Sequence, residues 1–211
     1  MAFEEIRREY TIAGLDEGSA ASDPFDQFDT WFQQSLDARV PLANTLILST
    51  ADAKARPSVR AVLMKSFDRR GFVFYTDYAS RKAEELTDNP WASGLFWWEP
   101  LERQVRIEGS VTRTSEAESD EYFFSRPLGS RLGAWASPQS QAIPDRASLE
   151  ARVAEMEARH GSNPPRPPGW GGFRLAPSRF EFWQGRPDRL HDRLCYVIDL
   201  EGHWSRSRLA P

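Results

Sequence analysis

The spacing of hydrophobic residues predicts an amphipathic helix near the start of the chain. From Asp23-Pro24 to about Arg39, apolar side chains recur every three or four residues, as they do on one face of an α-helix. Asp23 suits the N-cap position and Pro24 suits the first helical position, while Pro41 ends the pattern. The apolar face is expected to contain Phe25, Phe28, Trp31, Phe32 and Leu36.

A second pattern, typical of β-strands, fills much of the remaining chain. Residues 102–112 alternate, with Val105 and Ile107 on one side and Gln104 and Arg106 on the other. Runs rich in aromatic and β-branched residues predict further strands at 45–50, 58–67, 72–75, 91–98, 171–175, 179–183, 194–200 and 204–209. Short turns join several of these runs, which favours an antiparallel sheet or barrel over a βαβ repeat.

Helical patterns flank the predicted strands. They cover residues 3–10, a segment starting near Ser80, and residues 115–124, 130–135 and 147–160. The predicted fold class is therefore mainly β with flanking helices (α+β). We expect an N-terminal helix and linker over residues 1–22 and one domain over residues 23–211, since a chain of 211 residues fits a single large domain.

Composition argues against several classes of protein. Hydrophobic residues make up 40% and charged residues 27% of the chain, as in a soluble globular protein, and the net charge is −4. That charge does not favour nucleic acid or an acidic membrane as a partner, and no apolar run reaches the roughly 18 residues of a membrane span. The N-terminus lacks the apolar core of a signal peptide, so we expect a cytoplasmic protein.

Four cations between residues 58 and 86 are candidates for binding an anion. Arg81 and Lys82 fall in the first turn of a predicted helix, where the helix dipole favours anions and disfavours cations. A bound anion would reverse that penalty, whereas the alternative is a solvated basic helix start. Arg60 and Lys65 have opposite parity, so a regular strand would send them to opposite faces. Either a bulge re-aims one of them, or they meet different parts of the ligands.

Two further clusters carry phosphate-suited donors. Tyr122, Arg126 and Ser130 are spaced four apart, so on a helix or its extension they would project from one face suited to a phosphate monoester. The alternative is an ordinary helix end with a capping arginine. Arg189, His191 and Arg193 alternate, so on an extended segment they would share a face. Three potential cations on one face repel one another unless an anion or carboxylates balance them. The alternative for His191 is a purely structural role.

Several common kinds of site find no support in the sequence. The chain contains neither a Walker loop nor GxGxxG, and its serines lack a nucleophile-elbow context. Its three histidines, His160, His191 and His203, form no spaced metal pair, so no metal site is predicted. Its single cysteine, Cys195, excludes an intramolecular disulfide and a cysteine-based metal site.

An ordered set of short motifs resembles the pyridoxamine 5′-phosphate oxidase family over nearly the whole chain. Each motif is weakly specific by itself, but their common order is highly specific. The motifs are RREY (7–10), RAVLMK (60–65), FYT (74–76), SRKAEEL (80–86), LERQV (101–105), YFFSRP (122–127), LGAW (132–135), WGGFR (170–174), EFWQG (181–185), RLHDR (189–193) and RLAP (208–211).

The resemblance implies an antiparallel FMN-binding split β-barrel and a homodimer whose active sites are each built from both subunits. The FMN-binding residues that it implies are Arg60, Ala61, Val62, Leu63, Met64, Lys65, Tyr75, Thr76, Arg81, Lys82, Gln104, Gln139, Ser140, Trp183 and Arg193. The substrate-binding residues that it implies are Arg7, Arg8, Glu9, Tyr10, Lys65, Tyr122, Arg126, Ser130, Arg189, Leu190 and His191. Of these, Arg189 and His191 are expected to be catalytic, and residues 7–10 to cover the substrate.

The same resemblance implies the reaction. Pyridoxamine 5′-phosphate and pyridoxine 5′-phosphate would be oxidised to pyridoxal 5′-phosphate by hydride transfer from C4′ to flavin N5, with dioxygen as the electron acceptor. The alternatives are a non-catalytic FMN or pyridoxal-phosphate binding protein and a nicotinamide-dependent flavin reductase. Two segments depart from the family pattern: Pro138 precedes the Gln139-Ser140 pair, and residues 161–169 match no family motif.

Overall fold

One antiparallel sheet of nine strands organises the part of the chain that the structure, a computed structural model, describes: Tyr10 and residues 12–211. Arg7, Arg8, Glu9 and most of the helix predicted at residues 3–10 lie outside the described residues. The strands are β1 (Thr45–Ala51), β2 (Pro57–Leu63), β3 (Ser66–Asp68), β4 (Gly71–Asp77), β5 (Trp91–Trp98), β6 (Arg103–Arg113), β7 (Trp170–Gln184), β8 (Asp192–Ile198) and β9 (Trp204–Arg208). The helices are α1 (Pro24–Asp37), α2 (Arg81–Asp88), α3 (Glu116–Ser125), α4 (Leu128–Ala136) and α5 (Arg146–His160).

The sheet curls so that its two ends meet. Its strand order is β2-β1-β5-β6-β7-β4-β3, with β8 paired to β7 and β9 paired to β8. The chain nevertheless passes from β2 to β3, at opposite ends of this order, through only Met64 and Lys65. The Lys65 amide donates to the Val73 carbonyl on β4 at 2.8 Å, which ties the two ends together. The predicted antiparallel, mainly β fold with flanking helices is confirmed.

Helix α1 packs its apolar face into the curled sheet, as its periodicity predicted. The Asp23 side chain caps the helix by accepting a hydrogen bond from the Phe25 amide, and Pro24 occupies the first turn. The Phe28 side chain is fully buried, and its ring centroid lies 4.8 Å from that of Phe72 and 5.0 Å from that of Phe96. This aromatic packing fixes the strands that carry the polar residues described below.

Two predicted strand boundaries are wrong. The run at 58–67 is broken into β2 and β3 at Met64-Lys65, where the chain crosses between sheet ends. The segments at 171–175 and 179–183 form one continuous strand, β7, whose register with β6 shifts by one residue between Glu108 and Gly109. A Cβ at Gly109 would lie 2.0 Å from the Ala176 carbonyl oxygen, so this close approach of backbones requires glycine.

Strand β7 divides the sheet into two parts. Its first half pairs with β4 and its second half with β8, while β6 runs along its other side. Side chains on the two halves of β7 therefore face different surroundings.

Among the described residues, no helix has both the length and the apolar character needed to cross a membrane.

Candidate functional site

A cavity of about 760 Å³ opens between β2, β4, the start of α2 and the α3–α4 junction. Most of the predicted cofactor and substrate residues line it: Arg60, Ala61, Val62, Leu63, Lys65, Tyr75, Thr76, Arg81, Lys82, Tyr122, Arg126, Ser130, Gln139 and Ser140. The described lining contains five Arg or Lys side chains and no Asp or Glu. Such a lining favours an anionic ligand.

Lys82 is held at the start of α2 by neutral oxygen atoms. Its Nζ donates to Gln139 Oε1 at 3.0 Å and to Thr76 Oγ1 at 3.1 Å, and Thr76 Oγ1 in turn donates to Gln139 Oε1 at 2.6 Å. Burial, with the nearby charge of Arg60, lowers the pKa of Lys82. Gln139 thus reaches the cavity although Pro138 precedes it, and Ser140 lies beside it with a positive φ of 70°.

Arg60 and Lys65 reach the same cavity despite their opposite parity. Strand β2 ends at Leu63, so the strict alternation of faces stops two residues before Lys65. The reason is therefore the end of the strand, and not a bulge inside it. Met64, between them, is the one predicted residue of this motif that points away from the cavity: its side chain is buried in the core.

Glu85 is a site residue that the sequence reading missed. Its buried carboxylate accepts hydrogen bonds from Arg60 NH2 at 3.0 Å and from Arg81 Nε at 2.9 Å, although it does not line the cavity itself. Burial raises the pKa of this carboxyl, but the bonds from Ser58, Thr50, Arg81 and Arg60 outweigh burial and lower the pKa to about 2. The signal available in the sequence was the four-residue spacing from Arg81.

The one-face prediction for Tyr122, Arg126 and Ser130 is wrong. Helix α3 ends at Ser125, Arg126 is extended with φ −78° and ψ 147°, and Ser130 belongs to the next helix. Pro127 explains the break, because proline disfavours the helical conformation of the residue before it. The three side chains nevertheless line the same cavity, because the chain changes direction between α3 and α4.

Aromatic rings form one wall of the cavity. Tyr75 stacks on Tyr122 with ring centroids 4.0 Å apart and on Trp170 at 5.6 Å. The Arg126 guanidinium lies 4.6 Å from the Trp170 ring centroid, and Lys65 Nζ lies 5.8 Å from that of Tyr122. Burial raises the pKa of Tyr75 to about 12, so its hydroxyl stays protonated at neutral pH. The wall therefore combines flat apolar surfaces with positive charge.

A second cluster of predicted residues lies on the other half of β7. Gln104, Trp183 and Arg193 are direct cross-strand neighbours on β6, β7 and β8, so they share one face of the sheet. Arg193 is held by Glu181, which accepts from its Nε at 2.9 Å. Tyr10 packs edge-on against Trp183, with ring centroids 5.6 Å apart. None of these residues lines the cavity described above.

His191 joins this second cluster, and its surroundings define its protonation. Its ring centroid lies 4.6 Å from that of Trp183, and its Nδ1 accepts a hydrogen bond from the Arg186 amide at 3.1 Å. That bond leaves the ring proton of the neutral imidazole on Nε2. Burial and the charge of Arg189 lower the pKa of His191, which favours the neutral ring at pH 7.

The predicted extended segment through Arg189, His191 and Arg193 is also wrong. Residues Pro187–Arg189 form a short 3₁₀ turn, and β8 starts only at Asp192. Asp188 and Arg189 have φ values of 54° and 61°, a left-handed conformation that is costly for residues other than glycine. The turn exposes Arg189 and Leu190 to solvent, so neither lines the cavity of its own chain.

Comparison with known proteins places the chain among its relatives. A family model described as pyridoxamine 5′-phosphate oxidase matches residues 32–160, and one described as pyridoxine 5′-phosphate oxidase C-terminal dimerisation region matches residues 170–211. The pyridoxine/pyridoxamine 5′-phosphate oxidase of Paraburkholderia phymatum is 58% identical over 207 residues, covering 98% of each chain. This chain belongs to the pyridoxamine 5′-phosphate oxidase family. The enzyme of the same name from Bordetella petrii is also 58% identical, over 211 residues and 100% of each chain.

Solved structures share the fold of this chain. PhzG from Burkholderia lata 383, crystallised with tetrahydrophenazine-1-carboxylic acid, has a TM-score of 0.89 and 37% identity; the match covers 95% of this chain and 99% of PhzG. A Nostoc punctiforme protein, described as pyridoxamine 5′-phosphate oxidase-related and FMN binding, has a TM-score of 0.71 at 18% identity; it covers 90% of this chain and 98% of its own, and shows the fold alone. The predicted split β-barrel is confirmed.

The two family models divide most of the candidate site residues in the same way as the structure, with Gln104 and Trp170 as exceptions. Most of the cavity lining falls within the residues that the oxidase model matches. Trp183, Arg189, His191 and Arg193 fall within the matched dimerisation region. The candidate site residues of this chain thus form two separate clusters.

Proposed function

We propose that the protein is an FMN-dependent oxidase that converts pyridoxamine 5′-phosphate and pyridoxine 5′-phosphate to pyridoxal 5′-phosphate. The observation that carries this proposal is the grouping of cations in one cavity. Arg81 and Lys82 lie at the start of α2, whereas Arg126 lies at the α3–α4 junction. Two sets of phosphate-suited donors on different elements fit two phosphates, one on the cofactor and one on the substrate.

The residues present fit FMN. The cavity is large enough for a flavin-sized ligand, and its described lining holds cations without a carboxylate. Arg126 NH1 is buried with no hydrogen-bond partner among the described residues, which leaves a charged donor for a ligand oxygen. In our proposal Arg81, Lys82 and Gln139 hold the FMN phosphate, while Lys65, Tyr122, Arg126 and Ser130 hold the substrate phosphate.

When bound, FMN supplies the two-electron acceptor that takes a hydride from substrate C4′ at flavin N5, and dioxygen is the final acceptor, giving hydrogen peroxide. The chain's own residues position the reactants. Fixing the substrate by its phosphate and by the aromatic wall holds C4′ in place, an effect worth up to about 7–11 kcal/mol in well-oriented systems. In the proposal, Arg189 stabilises charge near the reacting carbon, and neutral His191 orients the pyridine ring.

A homodimer completes the proposed site. Gln104, Trp183, Arg189, His191 and Arg193 do not line the cavity of their own chain, and the last four lie in a matched dimerisation region. We infer that these residues of one subunit face the cavity of the other. Tyr10, which contacts both Trp183 and His191, would then bring the N-terminal segment over the substrate.

Two alternatives make different demands on the site. A non-catalytic flavin or pyridoxal-phosphate binder needs no set of donors for a second phosphate, so Arg126 and its neighbours favour an oxidase. A nicotinamide-dependent flavin reductase would take electrons from NADH instead of from a phosphorylated pyridoxine. These three activities can be separated with one purified protein.

The deciding experiment pairs a spectrum with oxygen uptake. The purified protein is expected to show flavin absorbance, and to consume oxygen with pyridoxine 5′-phosphate or pyridoxamine 5′-phosphate while forming pyridoxal 5′-phosphate. NADH and unphosphorylated pyridoxine serve as matched controls and are expected to give little uptake. Bound flavin without uptake would favour the binding protein, and uptake with NADH alone would favour the reductase.

A further inference from the structure

We propose that Glu85 is a positioning residue that holds Arg60 and Arg81 for the phosphate of the cofactor. This inference rests on the proposed binding of FMN. Arg60 comes from β2 and Arg81 from the first turn of α2, and both line the cavity. Their guanidinium groups meet on the carboxylate of Glu85, which lies behind the cavity wall with only 5% of its side chain exposed.

Each carboxylate oxygen of Glu85 accepts a hydrogen bond from a different arginine. Glu85 Oε1 accepts from Arg81 Nε at 2.9 Å, which leaves the outer nitrogens of that guanidinium available to a ligand. Glu85 Oε2 accepts from Arg60 NH2 at 3.0 Å, from Ser58 Oγ at 2.6 Å and from Thr50 Oγ1 at 2.5 Å. A buried carboxylate with this many donors has one favoured orientation, so it fixes the directions of both arginines.

Arg81 depends on this contact more than Arg60 does. Arg60 also donates to Thr50, to Ser58 and to the Leu48 carbonyl, and only 20% of its side chain is exposed. The side chain of Arg81 is 66% exposed, and the Glu85 carboxylate is the one ion-pair partner recorded for it among the described residues. Without Glu85, Arg81 would sample many rotamers in solvent, and a phosphate would have to order it on binding.

Charge repulsion alone predicts that Glu85 weakens the binding of a phosphate. A carboxylate next to a phosphate site repels the phosphate, so removing its charge would strengthen FMN binding if orientation did not matter. Positioning predicts weaker binding after the same change, because the arginines lose their alignment. The direction of the change in FMN affinity upon Glu85→Gln therefore distinguishes the two accounts.

The test measures binding of FMN and of riboflavin to the full-length protein by equilibrium dialysis. Riboflavin lacks the phosphate, so it reports on the rest of the site. Glu85→Gln is expected to weaken FMN binding about tenfold, as for one misaligned charge-assisted hydrogen bond, and to change riboflavin binding less than twofold. Glu84→Gln is the matched control, because Glu84 is the adjacent acid on α2 and is exposed outside the cavity lining. This variant is expected to bind FMN and riboflavin as tightly as the wild type does.

Unchanged or tighter FMN binding by Glu85→Gln would overturn the positioning role, and so would an equal loss for FMN and riboflavin. If the variant unfolds, Thr50→Val replaces it: this change removes one donor to Glu85 and one acceptor of Arg60, both outside the cavity lining. It is expected to weaken FMN binding several-fold while riboflavin binding changes less than twofold. An unchanged FMN affinity there would count against the proposal. Failure of the wild-type protein to bind FMN would instead overturn the proposed function.

Discussion

The guanidinium carbon of Arg126 lies over the Trp170 ring, 4.6 Å from its centroid, while the buried NH1 of Arg126 has no hydrogen-bond partner among the described residues. The ring holds the cation without consuming its donors. Trp170 is itself stacked on Tyr75 and Tyr122, so the arginine rests on a rigid support. An arginine prepared in this way suits an anion with several oxygen atoms, such as a phosphate monoester.

Replacing Arg126 by alanine is expected to raise the Michaelis constant for pyridoxine 5′-phosphate. Loss of one charge-assisted contact to a phosphate costs about 1.5–3 kcal/mol, which corresponds to a factor of about 10–100. Steady-state oxygen uptake measures the effect. Arg113→Ala is the control, because Arg113 also lies over an aromatic ring, that of Tyr78, but outside the cavity lining. An unchanged Michaelis constant for Arg126→Ala would remove this residue from the substrate site.

Replacing Arg189 by methionine should lower turnover much more than FMN occupancy. In the proposal Arg189 acts near the reacting carbon, and its exposed position on a left-handed turn leaves it free to reach a partner subunit's cavity. Turnover per bound flavin and the flavin-to-protein ratio are measured separately. Asp188→Asn keeps the same turn and should change neither quantity more than about twofold. Loss of flavin with normal turnover per bound flavin would contradict the assigned role.

Local sequence patterns predicted the elements whose boundaries are set locally. Helix α1 follows from its apolar spacing and its Asp23-Pro24 start, and α3 from the Ser115 cap, which forms a full capping box with Glu118. The two halves of β7 were predicted as separate strands because Pro177 and Ser178 interrupt the pattern. Their continuity depends on Gly109 of β6, where the bulge is accommodated, and pairing across 70 residues leaves no local signal.

The candidate site shows the same division between local and distant information. The family motifs identified most of the residues that line the cavity, but their spacing gave the wrong geometry for two of the three clusters. Tyr122, Arg126 and Ser130 converge because a helix breaks, and not because it continues. Glu85 was missed because its importance comes from Arg60, Ser58 and Thr50, which reach it from other elements.

Arg166 lies in the loop at 161–169, which matches no family motif, and it ties this loop to two neighbouring elements. Its side chain, 8% exposed, donates to Asp120 on α3 at 2.6 Å and to the Trp170 carbonyl at 2.6 Å, and it also pairs with Glu116. It therefore fastens α3 to the start of β7, the two elements that supply Tyr122 and Trp170. Arg166→Met should lower the free energy of unfolding by about 1–3 kcal/mol and raise the Michaelis constant for the phosphorylated substrate.

Urea denaturation and oxygen uptake check the two parts of this prediction for Arg166. Arg159→Met is a suitable control, because Arg159 lies exposed in the last turn of α5, directly before the loop. A loss of stability without any change in the Michaelis constant would show that the loop stabilises the fold without supporting the aromatic wall. No change in either quantity would show that the three contacts of Arg166 contribute little.

Lowering the pH is expected to decrease the free energy of unfolding, in part because Glu85 becomes protonated. Its folded-state pKa of about 2 lies below the usual value of 4.5, so its contribution to stability is fully present above pH 4.5 and is lost as the pH falls toward 2. A depression of this size corresponds to about 3 kcal/mol for a carboxylate that is almost fully buried. Glu85→Gln cannot lose this contribution, because it never has it. Urea unfolding between pH 6 and pH 2.5 should therefore show a stability gap between wild type and variant that narrows on acidification, and a constant gap across that range would mean that Glu85 titrates normally in the folded protein.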